Sequence, residues 1–304
     1  INESSFFRNP QDIASLAKPY QEELQRLREA YTKDPARSDS TLEQFYADLQ
    51  ARYFREMYES LRDLGLKIPI AGSNLALEGW DLATNAELDF IDRHTYWDHP
   101  RGGFGDLVKF HNLTPIESVQ RHHPIAKLAR NRVAGKPFVV SEWNIPWPNE
   151  FRAAGPLLVA AYALFQDWDG VLLFNYSGEL SPNQIEGNFD ISNKPEILLQ
   201  LPSVERLFQR RDLSPARETL TYPVFLEKGE INPKAALIHG IGRSMEGGES
   251  PKNFKIKQKS WASDTQELWW DAKANTLLIK SPRIQAVLGQ IGGSKLKLED
   301  VEFE

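Results

Sequence analysis

Glu142 follows an apolar segment, and its surroundings point more directly to chemistry than those of any other residue in the sequence. Residues 136–144 read Lys-Pro-Phe-Val-Val-Ser-Glu-Trp-Asn, so a short run of Phe and Val leads into a carboxylate, an indole and an amide. A continuous apolar run of this length is typical of a strand buried on both faces of a parallel sheet. Such a strand would present Glu142 at its C-terminal end, where parallel-sheet enzymes gather catalytic groups. Taken alone, the residue fits a loop or helix-cap carboxylate as well.

A second glutamate could supply a partner carboxyl group. Glu3 follows Asn2 at the start of the sequence, and we expect the pair to mark the end of a strand. Two carboxyl groups about 5 to 5.5 Å apart are the arrangement of retaining glycosidases, in which one attacks the sugar and the other donates and then abstracts a proton. Tyr96, two residues after His94, is placed to donate a hydrogen bond that keeps the nucleophile ionised.

Strands and helices alternate in the part of the chain that carries these residues. Apolar residues at helical spacing predict a long helix over 42–64, opened by a capping box of Ser40 and Glu43 and stopped by Gly65. Four strands are predicted, and each ends in polar or aromatic residues: 67–74, 88–97, 136–144 and 170–176. Further helices are predicted over 115–133, 155–168 and 195–210. This alternation predicts βαβ units around a parallel sheet, and no glycine fingerprint favours the alternative of a doubly wound nucleotide-binding sheet.

The composition changes near Asp212 to short runs separated by turn signals, which predicts a second domain. We therefore expect a catalytic domain over 1–212 and a smaller antiparallel, β-sandwich-like domain over 213–304. Residues 268–271 and 276–279 flank the turn residues 272–275 and predict a hairpin.

Charge and composition exclude several classes of partner. A net charge of −6 without a basic run argues against nucleic-acid and anionic-membrane partners, and no window approaches about 18 apolar residues. The absence of cysteine removes disulfides and thiol nucleophiles but identifies no compartment. His94, Asp98 and His99 match no standard zinc spacing, so neither a metal nor another cofactor is predicted.

With these residues in view, the sequence resembles the clan A retaining glycoside hydrolases. The resemblance rests on Asn2-Glu3, on His94-x-Tyr96 and on Glu142, and it covers roughly residues 1–210. It implies an α/β fold made of the end of strand four and strands five to eight of a TIM (β/α)8 barrel. Glu3 would then be the acid/base and Glu142 the nucleophile. Residues 263–286 resemble, less specifically, the β domain that follows the barrel in some bacterial members.

The resemblance also implies the substrate contacts. Asn2 would hold the sugar 2-hydroxyl, and His94 and Tyr96 would line the catalytic subsite. The eighth strand of the clan often ends in a tryptophan that stacks on the sugar, whereas this strand ends in Asn175-Tyr176, so either Tyr176 or Trp143 would take that place. The remaining expected substrate contacts are Trp97, Asn144 and Asn175.

The expected activity is hydrolysis of a β-linked sugar by double displacement, without a cofactor, in polysaccharide degradation. The alternative is a carbohydrate-binding or assembly protein that keeps the same barrel without turnover. For a bacterial protein this favours an extracellular or periplasmic location. Because half a barrel exposes two sheet edges, we also expect either the missing N-terminal half or a second copy of the chain as a partner.

Overall fold

The computed structural model describes residues 3–7, 16–102, 109–117, 119, 122–176, 187–226, 231–247, 251, 256, 258–290, 296–297 and 302–303. Asn2, predicted to bind the sugar, lies outside these residues. The fold is mixed α/β, with a parallel sheet in the first part of the chain and a separate antiparallel sheet in the last part. None of the described helices has the length and apolar character needed to cross a membrane.

Among the described residues, the longer helices before the parallel sheet are α1 (Lys18–Thr32) and α2 (Leu42–Asp63). The extent of α2 matches the prediction, and Gly65 follows it with a φ of +87°, a conformation that favours glycine. The capping box is one residue later than predicted. The Thr41 hydroxyl accepts the backbone N–H of Gln44 at 3.2 Å, and the Gln44 side-chain oxygen accepts that of Thr41 at 2.7 Å. Hence Thr41 and Gln44, not Ser40 and Glu43, satisfy the first free N–H groups of α2.

The parallel sheet alternates with short helices, as the sequence predicted. Its strands are β1 (Ile91–Tyr96), β2 (Phe138–Asn144) and β3 (Gly170–Leu173), which pair in the order β1-β2-β3. Residues 67–74 do not form the strand predicted there, but Leu75 makes a parallel bridge to His94, so this segment runs along the open side of β1. The helices of this part are α3 (Trp80–Asn85), α4 (Pro124–Ala129), α5 (Gly155–Phe165), α6 (Pro195–Leu198) and α7 (Leu201–Gln209).

Two of these helices are shorter than predicted. Within residues 115–133 the described helix is α4 alone, and it begins at Pro124. Residues 195–210 form α6 and α7 instead of one helix. Pro202 stands in the first turn of α7. Because proline has no N–H to donate to the preceding turn and its ring crowds that turn, it fits the start of a helix and interrupts a continuous one.

β2 contains a bulge that the sequence pattern did not reveal. Its pairing with β1 advances from Asp92 opposite Val139 to His94 opposite Glu142, so β2 uses one residue more than β1. The pairing of β2 with β3 shows the same extra residue between Val140 and Trp143. A bulge changes the side on which the following side chains project, which is a frequent device next to active sites.

The described residues of the last part of the chain form one parallel pair of strands and two antiparallel sheets. β4 (Thr219–Pro223) and β5 (Gly240–Ser244) are joined through α8 (Ala235–Ile238) and pair in parallel, so the antiparallel prediction is wrong for this segment. The following strands form an antiparallel sheet in sequence order, and β7 and β8 make the predicted hairpin. They are β6 (Ser260–Ala262), β7 (Leu268–Asp271), β8 (Thr276–Lys280) and β9 (Gln285–Gly289). β10 (Leu296–Lys297) pairs with β11 (Glu302–Phe303).

A single hydrophobic core connects both parts. Phe138, Leu158 and Trp168 of the first part belong to the same buried cluster as Leu268 and Trp270 of the antiparallel sheet. The indole N–H of Trp270 also donates to the carbonyl of Ile116 at 2.9 Å. The antiparallel sheet therefore packs directly on the helices that support the parallel sheet.

Candidate active site

Glu142, Tyr96 and His94 meet at the C-terminal ends of β1 and β2. The Tyr96 hydroxyl donates to Oε2 of Glu142 at 2.6 Å. The Nδ1 atom of His94 lies 3.3 Å from the same carboxylate oxygen. The register of the two strands explains the contact, because His94 stands directly opposite Glu142. The neighbours predicted for Glu142 are therefore its neighbours in the structure.

Glu3 joins this group from the other side of His94. Its Oε1 lies 3.3 Å from Nδ1 of His94, so the imidazole stands between two carboxyl groups. Ligand atoms of Glu3, His94 and Glu142 all lie within 4.8 Å of one another. The side chains of Glu3 and Glu142 are 37% and 22% exposed, whereas that of His94 is 4% exposed. The two glutamates thus face solvent across a buried ring.

Hydrogen bonds from Glu3 and from the residues that follow it hold this segment against the rest of the fold. The backbone N–H of Glu3 donates to the side-chain oxygen of Asn74 at 2.6 Å. The hydroxyl of Ser5 donates to Oδ1 of Asp81 at 2.6 Å, and the N–H of Phe6 donates to the side chain of Gln50 at 3.3 Å. Hydrogen bonds from α2, α3 and the segment before β1 therefore fix the position of Glu3.

A buried ion pair lies beneath this anchor. Asp81 and Arg93 are both fully buried, and their charged groups are 3.5 Å apart. Burial raises the pKa of Asp81 and lowers the pKa of Arg93, while each charge opposes the shift of the other. Arg93 also donates to the carbonyl of Ser73 at 2.7 Å and to the side chain of Asn131 at 3.0 Å. Arg93 therefore links β1 to α3, the helix whose Asp81 accepts the hydroxyl of Ser5.

Two residues of the site were not predicted, namely Ser141 and Asp92. Nε2 of His94 lies 2.8 Å from the Ser141 hydroxyl oxygen, and that hydroxyl donates to Oδ2 of Asp92 at 2.7 Å. In a regular strand Ser141 and Glu142 would project to opposite faces. The bulge in β2 allows both to reach His94. Asp92 could have been found from the sequence, because it lies two residues before His94 on a predicted strand and so shares its face.

Tyr96 stays a hydrogen-bond donor over a wide pH range. Burial raises the pKa of its phenol above the ordinary value, and the hydrogen bond to Glu142 and the negative charge of that residue raise it further. The hydroxyl therefore stays protonated well above neutral pH. A donor fixed in this way favours the carboxylate form of its partner.

Aromatic rings surround Tyr96 at the end of the sheet. Phe189 lies 5.0 Å from the Tyr96 ring and His99 lies 5.3 Å from it, both in edge-on contacts. The side-chain amide of Asn144 donates to the carbonyls of Phe174 and Phe189. Asn144, which was predicted to bind substrate, thus ties the ends of β2 and β3 to the loop that carries Phe189.

Among the other predicted substrate contacts, some side chains are accessible at the site and others are buried behind it. Tyr176 is 61% exposed, whereas Trp143 is 6% exposed and has its ring against Gly155 at the start of α5. Trp97 is 3% exposed, and its indole N–H donates to the carbonyl of Leu113 at 2.7 Å. Asn175 is partly buried beside Tyr176, and its backbone bonds to the loop at Phe189. Of the two aromatic residues considered for sugar stacking, Tyr176 has the accessible ring.

The same group has the composition of a possible metal site. Within the described residues, Glu3, His94 and Glu142 form the group that could offer three ligand atoms to a cation. Three protein ligands with one open position are typical of catalytic zinc. Here, however, Tyr96 already donates to Glu142 and Ser141 already contacts His94. The same group also suits a site without metal, because two carboxyl groups of which one accepts a hydrogen bond can act as nucleophile and proton donor.

Comparisons with models of protein families, with curated proteins and with solved structures gave no significant match to this chain.

Proposed function

We propose that this chain is a retaining glycoside hydrolase that cleaves a β-linked sugar, with Glu142 as nucleophile and Glu3 as acid/base. The observation that carries the proposal is the approach of the two carboxyl groups, which have oxygen atoms within 4.8 Å of each other beside His94. That spacing is compatible with the retaining arrangement, in which the carboxyl groups lie about 5 to 5.5 Å apart, and favours it over the separation of about 6.5 to 9.5 Å in inverting enzymes.

The two roles follow from the different surroundings of the glutamates. Glu142 receives the Tyr96 hydroxyl at 2.6 Å, a bond that favours the ionised form required for attack. Glu3 is the more exposed of the two and contacts Nδ1 of His94. In the first step Glu142 forms a bond to the anomeric carbon while Glu3 protonates the departing oxygen. In the second step Glu3 takes a proton from water, and the resulting hydroxide breaks the glycosyl–Glu142 ester.

The fold supports this proposal through the order of its elements. In this proposal, the segment of Glu3 takes the place of the end of strand four of a (β/α)8 barrel. The segment ending at Leu75 and strands β1, β2 and β3 take the places of strands five to eight. Parallel pairing of β1, β2 and β3 is what that assignment requires.

We further propose that the rest of the barrel, or a second copy of the chain, covers the open face. On and just beyond β3, Leu172 is 54% exposed and Tyr176 is 61% exposed, which is unusual for a strand of a closed barrel. Sedimentation of the chain, alone and at increasing concentration, tests this proposal. A fully active monomer of this chain would contradict it.

Glu142→Gln tests the function itself. The change keeps the size of the side chain but removes the attacking carboxylate, so hydrolysis of aryl β-glycosides should fall by more than about 10³-fold. Glu150→Gln is the matched control, because Glu150 is an exposed glutamate that follows β2 and should be dispensable. Unchanged hydrolysis in Glu142→Gln would refute the assignment. Sugar binding without turnover in the unaltered chain would favour the non-catalytic alternative.

A further inference from the structure

We propose that Asp92 and Ser141 form a relay that fixes the tautomer of His94, so that its Nδ1 atom serves as a hydrogen-bond acceptor between the two glutamates. Both are positioning residues, because they act on the reaction through His94. The effect of the relay on rate rests on the proposed function, whereas its effect on the tautomer does not.

Because the Ser141 hydroxyl carries a single hydrogen, it can donate only one of its two hydrogen bonds and must accept the other. Oδ1 of Asp92 accepts the backbone N–H of Ser141 at 3.0 Å, and Oδ2 accepts its hydroxyl at 2.7 Å. A serine hydroxyl has one hydrogen, and here it is directed to Asp92. Its oxygen can then only accept from Nε2 of His94, which is 2.8 Å away. Nε2 must therefore carry a proton.

The consequence appears at the other ring nitrogen. In a neutral imidazole with a proton on Nε2, Nδ1 has a lone pair and accepts hydrogen bonds. Nδ1 lies 3.3 Å from Glu3 and 3.3 Å from Glu142, and Glu142 already receives the Tyr96 hydroxyl. Of the two carboxyl groups, that of Glu3 is therefore the one placed to donate a proton to Nδ1, in keeping with its proposed role as the acid.

Because His94 is buried, Ser141 determines which hydrogen bond its Nε2 atom makes. The His94 side chain is 4% exposed, so bulk water has little access to replace Ser141 as the partner of Nε2. The bulge in β2 is what allows Ser141 to contact His94 while Glu142 faces the site. The tautomer should therefore change when the hydrogen bond at Nε2 is reversed.

Asp92→Asn should reverse the tautomer. The Ser141 N–H still requires an acceptor, so the asparagine oxygen should take the place of Oδ1 and its NH₂ group should face the hydroxyl. Ser141 would then accept from Asn and donate its own hydrogen to Nε2, which moves the proton of His94 to Nδ1. Two-bond ¹H–¹⁵N spectra at about pH 8, above the ordinary histidine pKa of about 6.5, distinguish the two tautomers. His94→Asn identifies the signals among the 6 histidines.

The expected result is an Nε2–H tautomer in the unaltered chain and an Nδ1–H tautomer in Asp92→Asn, with kcat lower by on the order of 100-fold and KM nearly constant. Ser141→Ala should give a mixture of tautomers and lower kcat about ten-fold, and Ser141→Thr should restore both. These serine variants provide the same readout if Asp92→Asn does not fold. Asp89→Asn, which alters a carboxylate bound to Arg62 instead, is the control and should leave the tautomer unchanged.

An Nδ1–H tautomer in the unaltered chain would overturn the proposal, and so would an unchanged tautomer in a folded Asp92→Asn variant. If Asp92→Asn reverses the tautomer but Glu142→Gln still hydrolyses glycosides, the relay stands and the proposed function fails. The two failures are therefore distinguishable.

Discussion

Removal of one hydroxyl group, in Tyr96→Phe, should weaken the nucleophile without disturbing the sheet. The hydroxyl donates to Glu142 at 2.6 Å, which is the short distance of a bond between an O–H group and an ionised oxygen. Hydrogen bonds to charged groups contribute about 1.5 to 3 kcal/mol. Because the Glu142 side chain is 22% exposed, water should replace part of that interaction. We therefore expect a loss near the lower limit, which corresponds to about a ten-fold decrease in kcat/KM.

The assay is hydrolysis of an aryl β-glycoside with a good leaving group, which makes attack by Glu142 rather than proton donation the sensitive step. Tyr58→Phe is the matched control, because Tyr58 donates to a carboxylate oxygen of Asp89 at 3.0 Å away from the site. That variant should lose a comparable hydrogen bond and keep its activity. If Tyr96→Phe retains the wild-type rate within about two-fold while Glu142→Gln is inactive, the role given to the hydroxyl is wrong.

Two further predictions concern stability. Asp81→Ala leaves the fully buried Arg93 without its counter-ion and removes the acceptor of the Ser5 hydroxyl, so it should lower the free energy of unfolding by about 3 to 5 kcal/mol in denaturant titrations. The control Glu23→Ala, at an exposed pair with Arg26, should leave the unfolding midpoint nearly unchanged. Equal midpoints for the two variants would contradict this prediction. Burial lowers the pKa of His123 from 6.5 to about 4, so between these pH values the unfolded chain binds a proton that the folded chain does not. The free energy of unfolding should therefore fall by about 3 kcal/mol as the pH decreases through this range. His123→Leu should make that pH dependence shallower, and an unaltered slope would show that other groups cause it.

Local sequence patterns were sufficient to predict β1, β2, β3 and the long helix, whereas the strand predicted over 67–74 does not form. β2 could be recognised from its run of Phe and Val, of which Phe138 and Val140 are buried while Val139 on the other face is only partly buried. α2 could be recognised because its apolar residues recur at helical spacing. The β7–β8 hairpin was predictable for the same reason, since turn residues separate two apolar runs. The parallel pairing of β4 and β5 was not, because it depends on packing between distant segments rather than on either strand alone.

The contact between Glu142 and Tyr96 was predictable from the sequence, whereas the contact between Ser141 and His94 was not. Chain order and residue type pointed to Glu142 and Tyr96 as neighbours, and their hydrogen bond confirms that they are. Ser141 could not be found in this way, because simple alternation places it on the face opposite Glu142 and only the bulge brings both to His94. The buried position of Trp97 was equally hidden, since an indole after a strand can face either a ligand or the protein interior.

Trapping of the covalent intermediate tests the central claim most directly. A 2-deoxy-2-fluoro β-glycoside with a good leaving group slows the second displacement more than the first, so a retaining enzyme accumulates the glycosyl ester on its nucleophile. Peptide mass spectrometry of the inactivated chain should locate one sugar on Glu142, and Tyr96→Phe should be labelled more slowly. A label on Glu3 or on any other residue, or hydrolysis that releases the inverted anomer without a label, would contradict the double displacement proposed for this site.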